Sequence, residues 1–280
     1  MTEKYGIGIV TYNRVDYFEN LLLSLPDIKN IVVVNDGNPY PESIYAKKNI
    51  KVIQHKRNKG VGRSKNDAMS YLINKGCEHI FILEDDILIK DGSIFDDYIR
   101  ASKLTGLQHF NFAFHGPLNK TENGEPAPRA EVSYNGEKIL TLNQHIPGAL
   151  SYFTKGILEK TGLIDVIYYN AWEHVDLSTR IFKLLGYSPF WWFADIAGSN
   201  RKIKDQDEDL KGSSIRKNNF KFMLYFRIFS RYYRLKHGHI PYRTPDEGKD
   251  NVRLKLIESF KLYRPDDPVP EIKIEELRQI

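Results

Sequence analysis

One cysteine, Cys77, stands in 280 residues, and that scarcity excludes an internal disulfide framework and any thiolate-rich metal site. No apolar run approaches the length needed to span a bilayer. The first residues, Met1 to Tyr5, offer neither a basic n-region nor a cleavable apolar segment and lead straight into a short apolar strand. Internal repeats are missing as well. These absences fit a soluble or peripheral protein in a reducing cytoplasm. What remains is an ordinary globular composition, 41% hydrophobic, sufficient for one large domain or one domain with a C-terminal extension. The net charge is +5, with lysine and arginine crowded between Arg201 and Lys236. That crowding points to an anionic partner: nucleotide phosphates, anionic lipid or an acidic glycan.

The most telling feature is a run of three acids inside an apolar segment, Ile80-Phe81-Ile82-Leu83-Glu84-Asp85-Asp86-Ile87-Leu88-Ile89. The apolar residues read as a buried strand, and burying three adjacent carboxylates without partners is prohibitively costly, so the acids belong at the strand's end. Hard oxygen ligands at the carboxyl edge of an α/β sheet suit a divalent cation and a phosphorylated ligand.

Around this run the pattern alternates. Strands are expected over residues 5–11, 31–34, 50–54 and from 79, and helices over 15–25 and 62–74. This βαββαβ order predicts a largely parallel sheet covered by helices, with Thr11, Asp36 and the acids Glu84 to Asp86 at strand ends. From residue 107 the reading changes to short strands over 109–115, 139–142 and 148–153 around a hairpin-like insertion at 117–131. Helices over 154–161 and 172–185 and a strand over 187–193 follow, then a polar, mobile loop at 198–219. Residues 220–236 form a basic, aromatic helix, 252–262 a second amphipathic segment, and the remainder a Pro- and Asp-rich tail. The expected organisation is one domain over 1–198, divided near 106 where the pattern changes, with a mobile loop and helical extension over 199–280.

Five segments in this order resemble the inverting glycosyltransferases of family 2, which have the GT-A fold. They are Ile9-Val10-Thr11-Tyr12-Asn13-Arg14, Val33-Val34-Asn35-Asp36-Gly37, the stretch from Asn58 through Gly60 and Gly62 to Lys65 and Asn66, Leu83-Glu84-Asp85-Asp86, and Glu173-His174-Val175-Asp176-Leu177. A further match runs from Gly148-Ala149 to Leu163-Ile164-Asp165. The resemblance implies a mixed, mostly parallel sheet flanked by helices and transfer of a sugar from a UDP-sugar to a glycan or glycolipid hydroxyl, in bacterial capsule, lipopolysaccharide or related surface-polysaccharide assembly. It also implies a Mn²⁺ or Mg²⁺ cofactor.

Within it, Asp36 is the candidate for reading uracil, whose ring N–H suits a carboxylate, with Thr11, Asn13 and Arg14 beside it. A second reading makes Asp36 the turn former of Asn-Asp-Gly, and another makes Asn13 and Arg14 a helix cap. Gly60 lets backbone N–H groups approach phosphate or ribose, with Lys65 close by. Asp86 takes the direct metal position, Asp85 faces the donor ribose or sugar, and Glu84 replaces the family's first Asp and acts through water. The third metal ligand falls to His239, or to His237. The family's catalytic base lies at the start of a helix, where this chain has His174, leaving His174, Glu173 and Asp176 as alternatives. Trp172 either stacks on an acceptor sugar or is core, and Asp176 with Arg180 reads as an intrahelical ion pair.

The basic, aromatic helix has three readings: packing on the catalytic domain, peripheral contact with a membrane surface, and nucleic-acid binding, which no accompanying module supports. Two rival functions are a sugar-nucleotide pyrophosphorylase, which needs a Gly-rich basic signature after the first strand where this chain has Tyr12-Asn13-Arg14, and a catalytically silent binding module.

Overall fold

A computed structural model of the protein describes residues 4–46, 50–185, 192–206, 219–241 and 248–277. The first half follows the alternation read from the sequence: β1 (Tyr5–Thr11), α1 (Val15–Ser24), β2 (Ile31–Asn35), a single turn α2 (Glu42–Tyr45), β3 (Ile50–Gln54), α3 (Val61–Asn74) and β4 (His79–Glu84). Then come β5 (Ile87–Ile89), α4 (Ile94–Thr105), β6 (His109–Asn111), β7 (Ala130–Tyr134), β8 (Glu137–Asn143), β9 (Leu150–Thr154), α5 (Lys155–Thr161) and α6 (Glu173–Leu185). The rest comprises β10 (Phe193–Ile196), α7 (Ser199–Lys202), β11 (Ile203–Asp205), α8 (Asn219–His237), α9 (Lys249–Tyr263) and β12 (Ile272–Glu276).

The main sheet has the order β3-β2-β1-β4-β9-β6, with β3, β2, β1 and β4 parallel and β9 antiparallel to both of its neighbours. Both faces are covered, and the period of two along each strand sorts side chains between two cores. Ile7, Ile9, Val33, Phe81 and Leu83 meet Phe18 and Leu21 of α1 and Phe95 and Tyr98 of α4. On the other face Val32, Val34, Ile80 and Ile82 meet Ala68, Met69 and Leu72 of α3 and Leu177 and Ile181 of α6. Each fully buried Leu, Ile, Met or Phe here contributes roughly 1.5–3 kcal/mol. Gly8 permits α3 to lie close on β1, since a Cβ there would stand 2.7 Å from that of Ala68.

A second, antiparallel sheet has the order β10-β8-β7-β12, and β11 pairs antiparallel with β5. The hairpin between β7 and β8 turns on Asn135 and Gly136, both at positive φ (49° and 83°) as a two-residue hairpin turn requires.

Three expectations are corrected. The loop expected over 198–219 is α7 and β11 at its start, because Ile203 is buried in the core and β11 completes a ladder with β5; residues 207–218 lie outside the described residues. The C-terminal tail ends in a strand, since Ile272 and Ile274 alternate with Lys273 and Glu275 and face inward on β7. Strand pairing therefore crosses the boundary drawn at residue 198, and 199–280 is not a purely helical appendage. The strand expected over 187–193 falls mostly outside the described residues, and β10 begins at Phe193.

Candidate active site

Parallel register sets Thr11 beside Asn35 and Val10 beside Glu84, so the carboxyl ends of three strands meet at one edge of the sheet. The apolar run ends at Glu84, and Asp85 and Asp86 form the turn into β5. This turn is clamped by Gln206, whose backbone N–H donates to the Asp86 carbonyl (2.8 Å) and whose side chain donates to the Asp85 carbonyl (2.8 Å).

Asp85 is fully buried and ends a relay. The Arg14 N–H donates to the Tyr40 hydroxyl (2.9 Å), which is 2.7 Å from the Thr11 hydroxyl, which donates to Asp85 Oδ2 (2.6 Å). The Arg14 guanidinium pairs with Asp85 Oδ1 and lies 3.4 Å from Asp86 Oδ2. Burial pushes the Asp85 carboxyl up to about 7, against the pull of Arg14 and with help from neighbouring Asp86. Thr11, Arg14 and Asp85 are thus brought together, with Asp85 engaged by protein groups.

Asp86 is different. It is buried, yet among the described residues its Oδ1 has no hydrogen-bond partner. Opposite stands His115, from the loop after β6, with Nε2 at 3.8 Å from Asp86 Oδ2 and Nδ1 at 2.7 Å from Asp205 Oδ1. Among the described residues no three His, Cys, Asp or Glu side chains form a cage for a metal. A buried carboxylate with one oxygen orphaned and the other facing an imidazole nevertheless fits a divalent cation that draws its other ligands from a diphosphate and water.

Two expected metal ligands are corrected. Glu84 pairs with the Lys65 ammonium at 2.6 Å and so neutralises a buried lysine. His239 packs edge-on to Tyr233 beside His237, and His237 donates to Asp176 Oδ1 (2.8 Å), so both histidines belong to the packing of α8 and not to the acid turn. His115, Asp205, Tyr40 and Gln206 escape the sequence reading. The one signal for His115 is its place at the end of the apolar run Phe110 to Phe114, where strand-end polar residues gather.

Lys65, expected near the donor phosphates, is an interior cation. Its ammonium contacts Glu84 Oε1, Glu173 Oε1 (3.1 Å) and the Gly148 carbonyl (3.3 Å). Burial opposes its charge, but Glu84 and Glu173 outweigh burial and hold the amine above the ordinary lysine value. Burial likewise opposes ionisation of Glu173, and Lys65 and His174 reverse that, holding it well below the ordinary glutamate value. His174 Nδ1 lies 2.9 Å from Glu173 Oε1 and Nε2 3.1 Å from the Ile146 carbonyl. A continuous path thus runs from Glu84 through Lys65 and Glu173 to His174. Gly148 keeps it open, since a Cβ there would meet His174 Nδ1 at 3.0 Å and Glu84 Oε1 at 3.1 Å.

Asp176 is not placed to take a substrate proton. It is fully buried, bonded to Arg180 Nε (2.9 Å), Lys236 Nζ (2.9 Å) and His237 Nε2 (2.8 Å), and held below the ordinary aspartate value by these groups against the effect of burial. The intrahelical pair with Arg180 is present, and it also anchors α8 to α6. Trp172, at φ 68°, packs on Phe226 of α8 with ring centroids 4.7 Å apart.

Asp36 holds the loop after β3, while Asn35 Oδ1 accepts from the Gly37 N–H (2.9 Å) and closes the turn after β2. Oδ1 accepts from His55 Nδ1 (2.6 Å) and the Lys59 N–H (2.8 Å), and Oδ2 accepts from the Gly60 N–H (2.8 Å). Asn13 Oδ1 accepts from the Asn38 N–H (2.8 Å) and so ties the end of β1 to the turn after β2. Gly60, at φ 88°, does not leave its space open for a ligand: a Cβ there would lie 2.5 Å from the Tyr169 carbonyl. Its role is close packing beneath residues 164–172, which α8 in turn covers through Tyr168–Phe229 and Tyr169–Tyr225 ring contacts.

Residues 7–96, which run from within β1 through the acid turn to the start of α4, match the profile of glycosyl transferase family 2. An uncharacterized glycosyltransferase of Acanthamoeba polyphaga mimivirus is 24% identical over 200 residues, covering 64% of this chain and 73% of the viral protein. Among solved structures, GalNAc-T7 in complex with UDP, GalNAc and Mn²⁺ superposes with a TM-score of 0.51 at 11% identity, over 94% of this chain and 56% of that one. The Staphylococcus aureus TarS fragment 1–349 gives a TM-score of 0.49 at 15% identity, over 94% and 81% of the two chains. The family 2 match over residues 7–96, the similarity to a viral glycosyltransferase and the GT-A fold shared with GalNAc-T7 together support a glycosyltransferase that carries a family 2 segment.

Proposed function

We propose that the protein transfers a sugar from a UDP-sugar to a hydroxyl of a glycan or lipid-linked glycan, with inversion and with a divalent cation, Mn²⁺ or Mg²⁺, held at Asp86. The observation that carries this reading is the path Glu84–Lys65–Glu173–His174, which joins the acid turn to a base at the start of α6. Of the three candidate bases His174 keeps by far the most accessible side-chain surface, 20% against 4% for Glu173 and none for Asp176. Oδ2 of Asp36 accepts one hydrogen bond and retains a lone pair for a ring N–H such as that of uracil. A bound cation supplies charge neutralisation for the departing diphosphate.

In the transfer, the acceptor oxygen bonds to the anomeric carbon as His174 takes its proton. The bond from that carbon to the phosphate oxygen breaks, and its electron pair leaves with UDP. A neutral imidazole can donate to only one of its two acceptors, Glu173 Oε1 or the Ile146 carbonyl, and the other nitrogen provides the lone pair. The ionised Glu173 then stabilises the imidazolium that forms. The outward face of α8, where exposed Met223, Leu224 and Ile228 alternate with Arg227 and Arg231, suits an anionic lipid surface near which a lipid-linked acceptor would be met.

The test is a panel of nucleoside diphosphate sugars with Mn²⁺, read by thermal stabilisation and by release of the nucleotide. Binding and turnover should be greatest with a UDP-sugar, and His174→Ala should lower turnover by roughly 10² to 10⁴ with donor affinity kept. Full turnover in His174→Ala removes the assigned base, and donor binding without nucleotide release makes the chain a binding module.

A further inference from the structure

We propose that His115 is the second protein ligand of the cation held at Asp86, oriented for that task by Asp205. The inference rests on the metal-dependent reading above and adds to it a residue from the loop after β6.

Asp205 sets the orientation of the ring. Its carboxylate is nearly inaccessible, and its Oδ2 is fixed by the Gly116 N–H (2.8 Å) and the Lys120 ammonium (3.1 Å). Its Oδ1, an acceptor, faces His115 Nδ1 at 2.7 Å, so Nδ1 carries the proton of the neutral ring and the lone pair lies on Nε2. That nitrogen faces Asp86 Oδ2 at 3.8 Å, and among the described residues Asp86 Oδ1 has no hydrogen-bond partner. Two ligand atoms each ~2.1 Å from a shared ion stand ~3 to 4 Å apart, and the observed spacing falls in that range. A carboxylate fixing one imidazole nitrogen while the other faces the ion is the usual way a protein orients a metal-binding histidine. The fold delivers this geometry through one short ladder. β11 pairs with β5 so that Asp205 stands opposite Ile87, the residue after Asp86, and the orienting carboxylate is in register with the acid turn. Imidazole and carboxylate together with phosphate oxygens suit Mn²⁺ better than Mg²⁺.

Mn²⁺ binding to the full chain in the presence of UDP, without any sugar transfer, tests this by electron paramagnetic resonance. Wild type should show a nitrogen hyperfine coupling to the bound ion. His115→Ala should lose that coupling and bind Mn²⁺ 10- to 100-fold more weakly, while metal-free UDP affinity stays the same. Asp205→Asn should keep the coupling with an affinity lowered by about tenfold, and His115→Asp should restore binding of Mg²⁺. Thermal unfolding of each variant reports whether the fold persists. A coupling and affinity unchanged in His115→Ala, with binding lost in Asp86→Ala, overturns the role of His115 and leaves the metal-dependent reading standing. Absence of Mn²⁺ binding by folded wild type with any nucleoside diphosphate overturns both.

Discussion

Lys65 couples the two halves of the site, and its substitution is the sharpest test at the scale of one residue. Its ammonium, 3% exposed, stands between Glu84 and Glu173. Removing one partner of such a buried network leaves the other charges uncompensated, which typically costs 3–5 kcal/mol. Lys65→Met should therefore destabilise the fold by about that much at pH 7. Because the folded value of Glu173 is lowered, its contribution is present above its unfolded value and is lost as pH falls through the folded one. Without Lys65 the same carboxyl is raised by burial and becomes easier to accommodate once protonated. The difference in unfolding free energy between wild type and variant, measured in urea, should thus narrow between pH 7 and pH 4. A difference below about 1 kcal/mol at pH 7, or one independent of pH, would show that the network carries little energy.

At the scale of elements, α8 separates what was legible in the chain from what was not. Its aromatic spacing foretold a helix, and Tyr225, Phe229 and Tyr233 turn inward on residues 164–172 and α6 as such a stripe should. Strong periodicity likewise revealed β1, α1, β2, α3 and β4, because each buries one face or both. The sequence could not reveal that Asp176 reaches Lys236 and His237, that Asp205 backs His115, or that Gly60 is filled by Tyr169. These are contacts between segments 60 to 109 residues apart, and no local pattern encodes them. β12 was missed for a related reason: two isoleucines in a polar tail become a strand signal only when β7 offers an edge.

The outward stripe of α8 also carries a prediction. Phe220 and Leu235 are more than four-fifths exposed and bracket Leu224, Arg227, Ile228, Arg231 and Arg234. Apolar side chains interleaved with arginines match the surface of an anionic bilayer, and among the described residues no helix is long and apolar enough to cross one. The protein should co-sediment with vesicles containing phosphatidylglycerol and not with phosphatidylcholine alone. Arg227→Glu with Arg231→Glu should abolish this without altering donor binding. Equal partition to both vesicle types would remove the electrostatic argument.

Across the whole molecule, the polar interior makes stability depend on pH through groups of opposite sense. His109 lies in the second rank of the site, with Nδ1 2.8 Å from the Tyr152 carbonyl and Nε2 within reach of the Ser178 hydroxyl (2.7 Å) and the Asn111 amide (3.0 Å). Its ring stacks on Phe153, and the other titratable group acting on it is His174. Burial lowers His109 from 6.5 to about 4, against the pull of the Tyr152 carbonyl. A lowered folded value means that the unfolded chain binds the proton first, so stability present above 6.5 is lost as pH falls toward 4, by about 3 kcal/mol in all. Asp85 and Asp195, which burial raises to about 7 and about 6, keep protons that the unfolded chain has released and act in the opposite direction over an overlapping window. The bare stability profile of wild type is therefore a sum of opposing slopes and a poor test of any one group. The difference between wild type and His109→Gln isolates it. Glutamine cannot titrate, so the stability advantage of wild type should shrink by up to about 3 kcal/mol between pH 7 and pH 4, and the wild-type His109 ring signal in a nuclear magnetic resonance titration should remain neutral at pH 5. A ring that protonates near 6.5 in the folded protein would mean that His109 is reached by water and that its hydrogen bonds to β9 and α6 are not maintained.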